Sequence, residues 1–110
     1  MIQEKQLGQA RENSTSAVSV YSPGASTTAV IRTVVLCNTS GADATYRLFH
    51  DDDGTTYDES TAICWDATLP ANATDKVDGH FCMDDATGNF AYRSSVANAI
   101  TITLYGMEIT

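Results

Sequence analysis

The sequence is poor in the residues that mark nucleic-acid binders, membrane spans and small metal or redox modules. It has six Lys and Arg against fourteen Asp and Glu, for a formal charge of −8. Phosphate backbones are bound by clustered basic side chains; the six here are scattered, which argues against nucleic acid as a direct partner. No apolar run approaches the roughly 20 residues that cross a bilayer as a helix, so no membrane partner is expected. The opening MIQEKQLGQARENSTS has no apolar segment of the secretory kind, which predicts folding in the cytoplasm of the producing cell. Three cysteines, Cys37, Cys64 and Cys82, cannot all pair within one chain. Their wide spacing fits neither a CxxC redox pair nor a zinc ribbon, and they read as small, half-buried apolar residues. Without a secretory signal, the sequons at Asn13, Asn38 and Asn72 carry no implication.

Catalytic signatures are missing as well. There is no HExxH, no GxSxG and no glycine-rich phosphate loop, and the two histidines, His50 and His80, stand outside any such pattern. His80 and Cys82, two apart on one strand face, are compatible with half a metal site but read as a surface pair. Paired-carboxylate catalysis needs two acids converging in a cleft with separated pKa values, whereas the acids here lie in turns. The chain is expected not to be an enzyme.

What is present is a period of two. At 110 residues, 43% of them hydrophobic, one domain is able to bury about two thirds of its unfolded surface. Ile100, Ile102 and Leu104 alternate with Thr101, Thr103 and Tyr105, giving a strand with one core face and one wet face. In DATYRLFH, Tyr46 and Leu48 share a face opposite Arg47. In KVDGHFCM, Val77, Phe81 and Met83 oppose Asp78, His80 and Cys82. TTAVIRTVVLCN is apolar at both parities, with Val30, Val34 and Leu36 on one face and Ile31, Val35 and Cys37 on the other. It reads as a central strand covered on both sides, where a neighbouring subunit would supply the second cover. Turn clusters at 22–26, 38–43, 51–56, 69–74, 84–89 and 94–98 separate these strands, with Gly expected to supply positive φ. No segment has the helical i, i+3, i+4, i+7 pattern. The prediction is an all-β, antiparallel β-sandwich of about seven to eight strands, Greek-key or jelly-roll-like, over residues 17–110. Residues 1–16, polar and poorly periodic, read as an extended N-terminal arm.

The stretch FHDDDGTTYDES, residues 49–60, is the one dense chemical feature. Placing Gly54 at the sixth position of an EF-hand loop puts Phe49 first and Ser60 twelfth, so that motif fails. A looser calcium site from Asp51, Asp53 and Asp58 stays open, beside a plain hairpin with Asp53-Gly54 as its tight turn. No other cofactor is expected. Tyr57, Trp65, Tyr92 and Tyr105 are candidates for a carbohydrate-stacking platform, set against the more ordinary role of core and interface aromatics.

Read in order, LGQA, VVLCN, TYRLFHDDDGTTYDES, LPANAT, TGNFAYRSS and the ending ITITLYGMEIT run through most of the chain. On these segments the sequence resembles a family of small virion structural proteins of tailed bacteriophages. The resemblance implies a non-enzymatic β-sandwich that multimerises on the virion. It does not separate capsid from tail or fibre; the first reading is a capsid decoration (cement) protein, a homotrimer contacting the major capsid protein or other virion proteins. The arm would make those contacts through Gln3, Lys5, Leu7, Gln9 and Arg11. The alternative is a tail, baseplate or fibre component binding a host surface glycan, with the acidic turn and Tyr57 or Trp65 at its tip.

Overall fold

The computed structural model describes residues 1–110 and consists of eight β-strands without a helix. In chain order these are β1 (Ile2–Arg11), β2 (Val18–Tyr21), β3 (Thr28–Asn38), β4 (Ala44–Asp51), β5 (Ala62–Leu69), β6 (Thr74–Met83), β7 (Asn89–Ser94) and β8 (Ile100–Ile109). They form two four-stranded sheets, β1-β8-β3-β6 and β2-β7-β4-β5, and every pairing is antiparallel. The chain passes between the sheets at nearly every connection, which is the double Greek key of a jelly roll. The expected sandwich is present, with eight strands.

Alternation builds the core. Ile100, Ile102 and Leu104 of β8, and Tyr46 and Leu48 of β4, point between the sheets as expected. Val77 and Phe81 pack beside the buried Met83, with the rest of a cluster that includes Leu36, Phe90 and Tyr92. Leu36, Leu48 and Leu104 are fully buried, so cutting any of them to Ala costs about 2–5 kcal/mol.

β3 departs from the expected faces. Ile31 pairs with Gly106 and Thr33 with Tyr105, so Arg32 is an extra residue opposite β8. This bulge inverts the parity halfway along the strand. Ala29 and Ile31 face the core before it, Val34 and Leu36 after it, and Val30 moves to the outer face between Met107 and Cys82. The backbones crowd there: a Cβ on Gly106 would lie 1.9 Å from the Val30 carbonyl oxygen. Only glycine lets them pass so closely.

The segment 1–16 is extended, and Ile2–Arg11 within it lies along β8 of the same chain as an edge strand. Leu7 and Ala10 pack against the core. The ladder continues to the chain ends, where the Met1 ammonium donates to the Thr110 carbonyl at 2.5 Å and the Thr110 N–H to the Met1 carbonyl at 2.9 Å.

Three tyrosines join the sheets. Tyr21 of β2 donates to Glu108 of β8 at 2.6 Å, and Tyr46 of β4 to Asp75 of β6 at 2.9 Å. Tyr92 of β7 donates to the Ile100 carbonyl of β8 at 3.2 Å and accepts the Glu12 N–H at 2.8 Å. Burial raises all three phenol pKa values.

Loops 22–27, 52–61 and 84–88 gather at one end of the sandwich, and 12–17, 39–43, 70–73 and 95–99 at the other. The expected positive-φ glycines are absent; the left-handed positions belong to Ser26, Asp66, Asn72 and Asn98. Short polar side chains tolerate that conformation by bonding to nearby backbone.

Candidate functional site

The acidic stretch is a connection between neighbouring antiparallel strands, as read, but a longer one. β4 ends at Asp51 and β5 begins at Ala62, so Asp53-Gly54 is not a two-residue hairpin turn. Asp51, 8% exposed, organises the loop. Its carboxylate accepts the N–H of Thr56 at 2.9 Å and of Asp53 at 3.2 Å. The Thr56 N–H, more than any other partner, holds its pKa below the usual carboxylate range. Asp58 accepts the Ser60 N–H at 2.8 Å and its hydroxyl at 2.5 Å, which lowers its pKa too. Asp53 is exposed, and its interaction with Asp51 raises its pKa. Two of the three candidate cation ligands therefore serve their own loop, and no three metal-capable side chains converge anywhere in the chain.

Loop 84–88 closes against this one. Asp52 accepts the Asp84 N–H at 3.2 Å, and the Asn89 amide donates to the Gly54 carbonyl at 3.0 Å. Residues 51–61 and 84–88 hold seven of the fourteen acidic residues (Asp51 to Asp53, Asp58, Glu59, Asp84, Asp85) and none of the six Lys and Arg. The other seven acids and all six cations lie elsewhere, a net of −1, so these two loops carry −7 of the total −8.

The aromatics do not form one platform. Tyr92 is in the core, whereas Tyr105 projects from the other sheet's outer face, 45% exposed. Trp65, 42% exposed, stands on the outer face of β5. The Arg47 guanidinium lies 3.6 Å from its ring centroid. Arg47 is fixed in turn by two bonds to Asp66, at 2.6 and 3.1 Å, which lower the Asp66 pKa. Phe49 sits edge-on to Trp65 at 6.2 Å and 5.9 Å from Tyr57. These three rings make a small apolar cluster outside the sandwich. Beside it is a shallow depression of about 300 Å³ lined by Glu59, Ala62, Ile63, Cys64 and Trp65.

The outer face of the first sheet carries a polar groove of about 460 Å³. It is lined by Glu4, Lys5 and Gln6 of β1, Arg32 and Thr33 at the β3 bulge, and Tyr105 of β8. Lys5 pairs with Glu108 at 2.6 Å, Lys76 with Asp78, and Arg47 and Arg93 with Asp66. Arg11 donates to the Asn98 carbonyl. Arg32 alone among the six cations has neither an ion pair nor a hydrogen bond. Its signal in the sequence is a lone charge inside the apolar run TAVIRTVVLC, where a bulge turns one residue to solvent.

Of the residues expected to contact partners, Gln3 is exposed, Leu7 is packed on the core, and Gln9 donates to Thr103 at 3.1 Å. Lys5 and Arg11 hold the partners just named. His80 and Cys82 are exposed on the edge strand β6, without a third ligand. His50 lies between the Phe81 and Phe90 rings, at 6.2 and 6.1 Å. All three cysteines are free; Cys37 and Cys64 are half-buried as expected, whereas Cys82 is exposed at the sheet edge. There is no helix of the length and apolarity that crosses a membrane.

The sequence matches no family model and no curated protein. Among solved structures, the fold is similar to a chain of the T13 viral particle of infectious bursal disease virus (TM-score 0.57, 10% identity, 97% of this chain and 30% of that one). It is also similar to a chain of that virus's VP2 subviral particle (TM-score 0.52, 13% identity, 98% of this chain and 32% of that one). The chain thus spans less than a third of the length of these two. It covers nearly all of a third, from the acid-stable capsid of the Helicobacter pylori bacteriophage KHP30 (TM-score 0.51, 12% identity, 100% of this chain and 99% of that one). At such identities the likeness is one of fold: an eight-stranded jelly roll.

Proposed function

We propose that the chain is a non-enzymatic structural protein of a virus particle, and within that class a capsid decoration protein of a tailed bacteriophage. The observation that carries this reading is the jelly-roll strand order, a topology that recurs in viral capsid domains. The end-to-end likeness to a phage capsid chain supports it. The protein works by binding energy alone. Seated on the shell as a homotrimer, it bridges adjacent copies of the major capsid protein, and the decorated shell gains interface area that the bare shell lacks.

The free edge of β1 is the strand for that contact. Its inner edge is paired with β8, and its outer edge presents unpaired N–H and C=O groups able to accept a strand from a neighbour. Gln3, Lys5, Leu7, Gln9 and Arg11 mark the contact along this edge. The test is the copy number of the chain in purified particles relative to the major shell protein, by quantitative mass spectrometry. A ratio comparable with the shell protein is expected. A handful of copies per particle would place the chain in the tail or a fibre, and complete absence would remove the virion reading.

A further inference from the structure

The chain holds two Asp-Gly pairs, Asp53-Gly54 and Asp78-Gly79. Such a pair has a reaction of its own: the glycine nitrogen attacks the aspartate side-chain carboxyl and closes a five-membered ring. Glycine favours this because it has no Cβ to crowd the nitrogen and few limits on its backbone. Whether the ring closes in a folded chain depends on what holds the carboxyl, the nitrogen and the peptide between them. This fold treats the two pairs differently.

Asp78-Gly79 is restrained. Asp78 lies in β6 opposite Thr33 of β3, and ring closure would require it to leave the extended conformation of the strand. Both of its carboxylate oxygens have partners, the Thr33 hydroxyl at 3.2 Å and Lys76 at 3.6 Å. The Phe81 ring fills the space beside Gly79, where an added Cβ would lie 2.5 Å from Cζ.

Asp53-Gly54 has none of these restraints. It lies in the turn after β4, outside any strand pairing, with the Asp53 side chain exposed. The Asp53 N–H donates to Asp51 at 3.2 Å and the Gly54 carbonyl accepts the Asn89 amide at 3.0 Å. The Gly54 N–H between them bonds to nothing within the chain. The pair is therefore held in a turn with its nitrogen free. A hydrogen bond to Asp51 and the charge of that neighbour raise the Asp53 pKa. This enlarges the share of neutral carboxyl, the form that loses its hydroxyl as water.

We infer that Asp53-Gly54 is a site of spontaneous backbone rearrangement, at which Asp53 becomes an isoaspartyl residue while Asp78 does not. The Gly54 nitrogen bonds to the Asp53 side-chain carboxyl carbon, and its proton and the carboxyl hydroxyl leave together as water, giving a succinimide. Water then adds back. Opening at the side-chain carbonyl restores aspartate. Opening at the main-chain carbonyl breaks the original peptide bond and leaves the chain running through the side-chain carbon. The product has unchanged mass, and water is the only co-reactant. Its backbone is longer by a methylene at this point, which displaces the Gly54 carbonyl from Asn89 and loosens the junction of loops 52–61 and 84–88.

The experiment is ageing of the purified full chain at mildly acid pH, folded and, in parallel, unfolded in guanidinium chloride. Peptide mapping with electron-transfer fragmentation then separates isoaspartyl from aspartyl bonds at each position. Relative to its own rate in the unfolded chain, position 53 should rearrange at least about tenfold faster than position 78 when folded, a barrier difference of about 1.4 kcal/mol. Gly54→Ala, whose methyl group crowds the nitrogen, should slow position 53 and leave position 78 unchanged; circular dichroism checks that this variant is folded. Equal conversion at the two positions in the folded chain overturns the inference, as does indifference of position 53 to Gly54→Ala. So does a folded chain in which Asp53 persists while the unfolded chain converts, since the bonds to Asp51 and Asn89 would then block ring closure.

Discussion

The Tyr21 hydroxyl on one sheet donates to the Glu108 carboxylate on the other across 2.6 Å, and Lys5 reaches the second oxygen of the same carboxylate. β1, β2 and β8 are thus joined at one group. Tyr21→Phe should cost about 1–2 kcal/mol in urea unfolding. Lys5, and after it Tyr21, hold the Glu108 pKa below the usual range. A lowered folded-state value means the contribution is present above the ordinary glutamate pKa of about 4.3 and is lost as pH falls through the folded value. The stability difference between the wild type and Glu108→Gln should therefore shrink on acidification; a difference constant from pH 7 to pH 3 would contradict this role.

Gly106→Ala places a methyl group against the backbone of Val30 rather than against a yielding side chain. The expected cost exceeds the roughly 1–3 kcal/mol of ordinary overpacking, read as loss of soluble protein or a large fall in melting temperature. Gly41→Ala, with open space around it, is the control and should stay within about 0.5 kcal/mol of wild type.

Asp51→Ala removes the acceptor for the Thr56 and Asp53 amides. Loop 52–61 should then be cut by proteases under native conditions, while the sandwich melts as a unit. Because the Asp51 pKa is lowered in the folded chain, the ordering it supplies is lost as pH falls through that lowered value. The wild type should become susceptible only in acid, assayed with an acid-active protease. Equal resistance of the wild type and Asp51→Ala at neutral pH would refute the assignment.

Trp65 is the only tryptophan, so its fluorescence reports the outer face of β5 alone. Arg47 covers its ring. Arg47→Ala should raise acrylamide quenching about twofold and shift the emission to the red, as expected when a cation–π partner is removed from a partly exposed ring. Unchanged quenching would show that the guanidinium does not shield the ring in solution.

Removing residues 1–11 strips β1 from β8 and uncovers the core beside Leu7 and Ala10. The truncated chain should lose several kcal/mol and aggregate through its new edge. Loss of particle binding by that deletion would therefore say nothing about contact residues. Gln3→Ala with Gln9→Ala, which leaves the backbone ladder in place, is the sharper probe.

The faces of β4, β6 and β8 were legible in the sequence because each keeps one parity over its core-facing residues, so alternation alone assigns Tyr46, Phe81 or Leu104. β3 was not, because an inserted Arg32 reverses the parity and a list of apolar residues does not say where a bulge falls. β1 was obscured by its place at an edge. A strand with one paired side and mostly wet faces needs few apolar residues, and Leu7 and Ala10 are too sparse a signal. The acidic loop's location was plain, but its length was hidden, since Asp51 replaces a tight turn with side-chain bonds to Thr56 and Asp53. The groove joins residues from β1, β3 and β8, far apart in sequence, and only strand pairing brings them together.

β8 lies in the interior of its sheet, yet it is the last of the eight strands in chain order. Until residues 100–109 have emerged, β1 and β3 have no strand between them, and the half-made sheet holds two open edges that invite wrong pairing. The first sheet therefore closes only after all eight strands have been made, with long-range closures that slow the search. Without β8 the two flanking strands would stand as open edges, prone to mispairing rather than merely less stable.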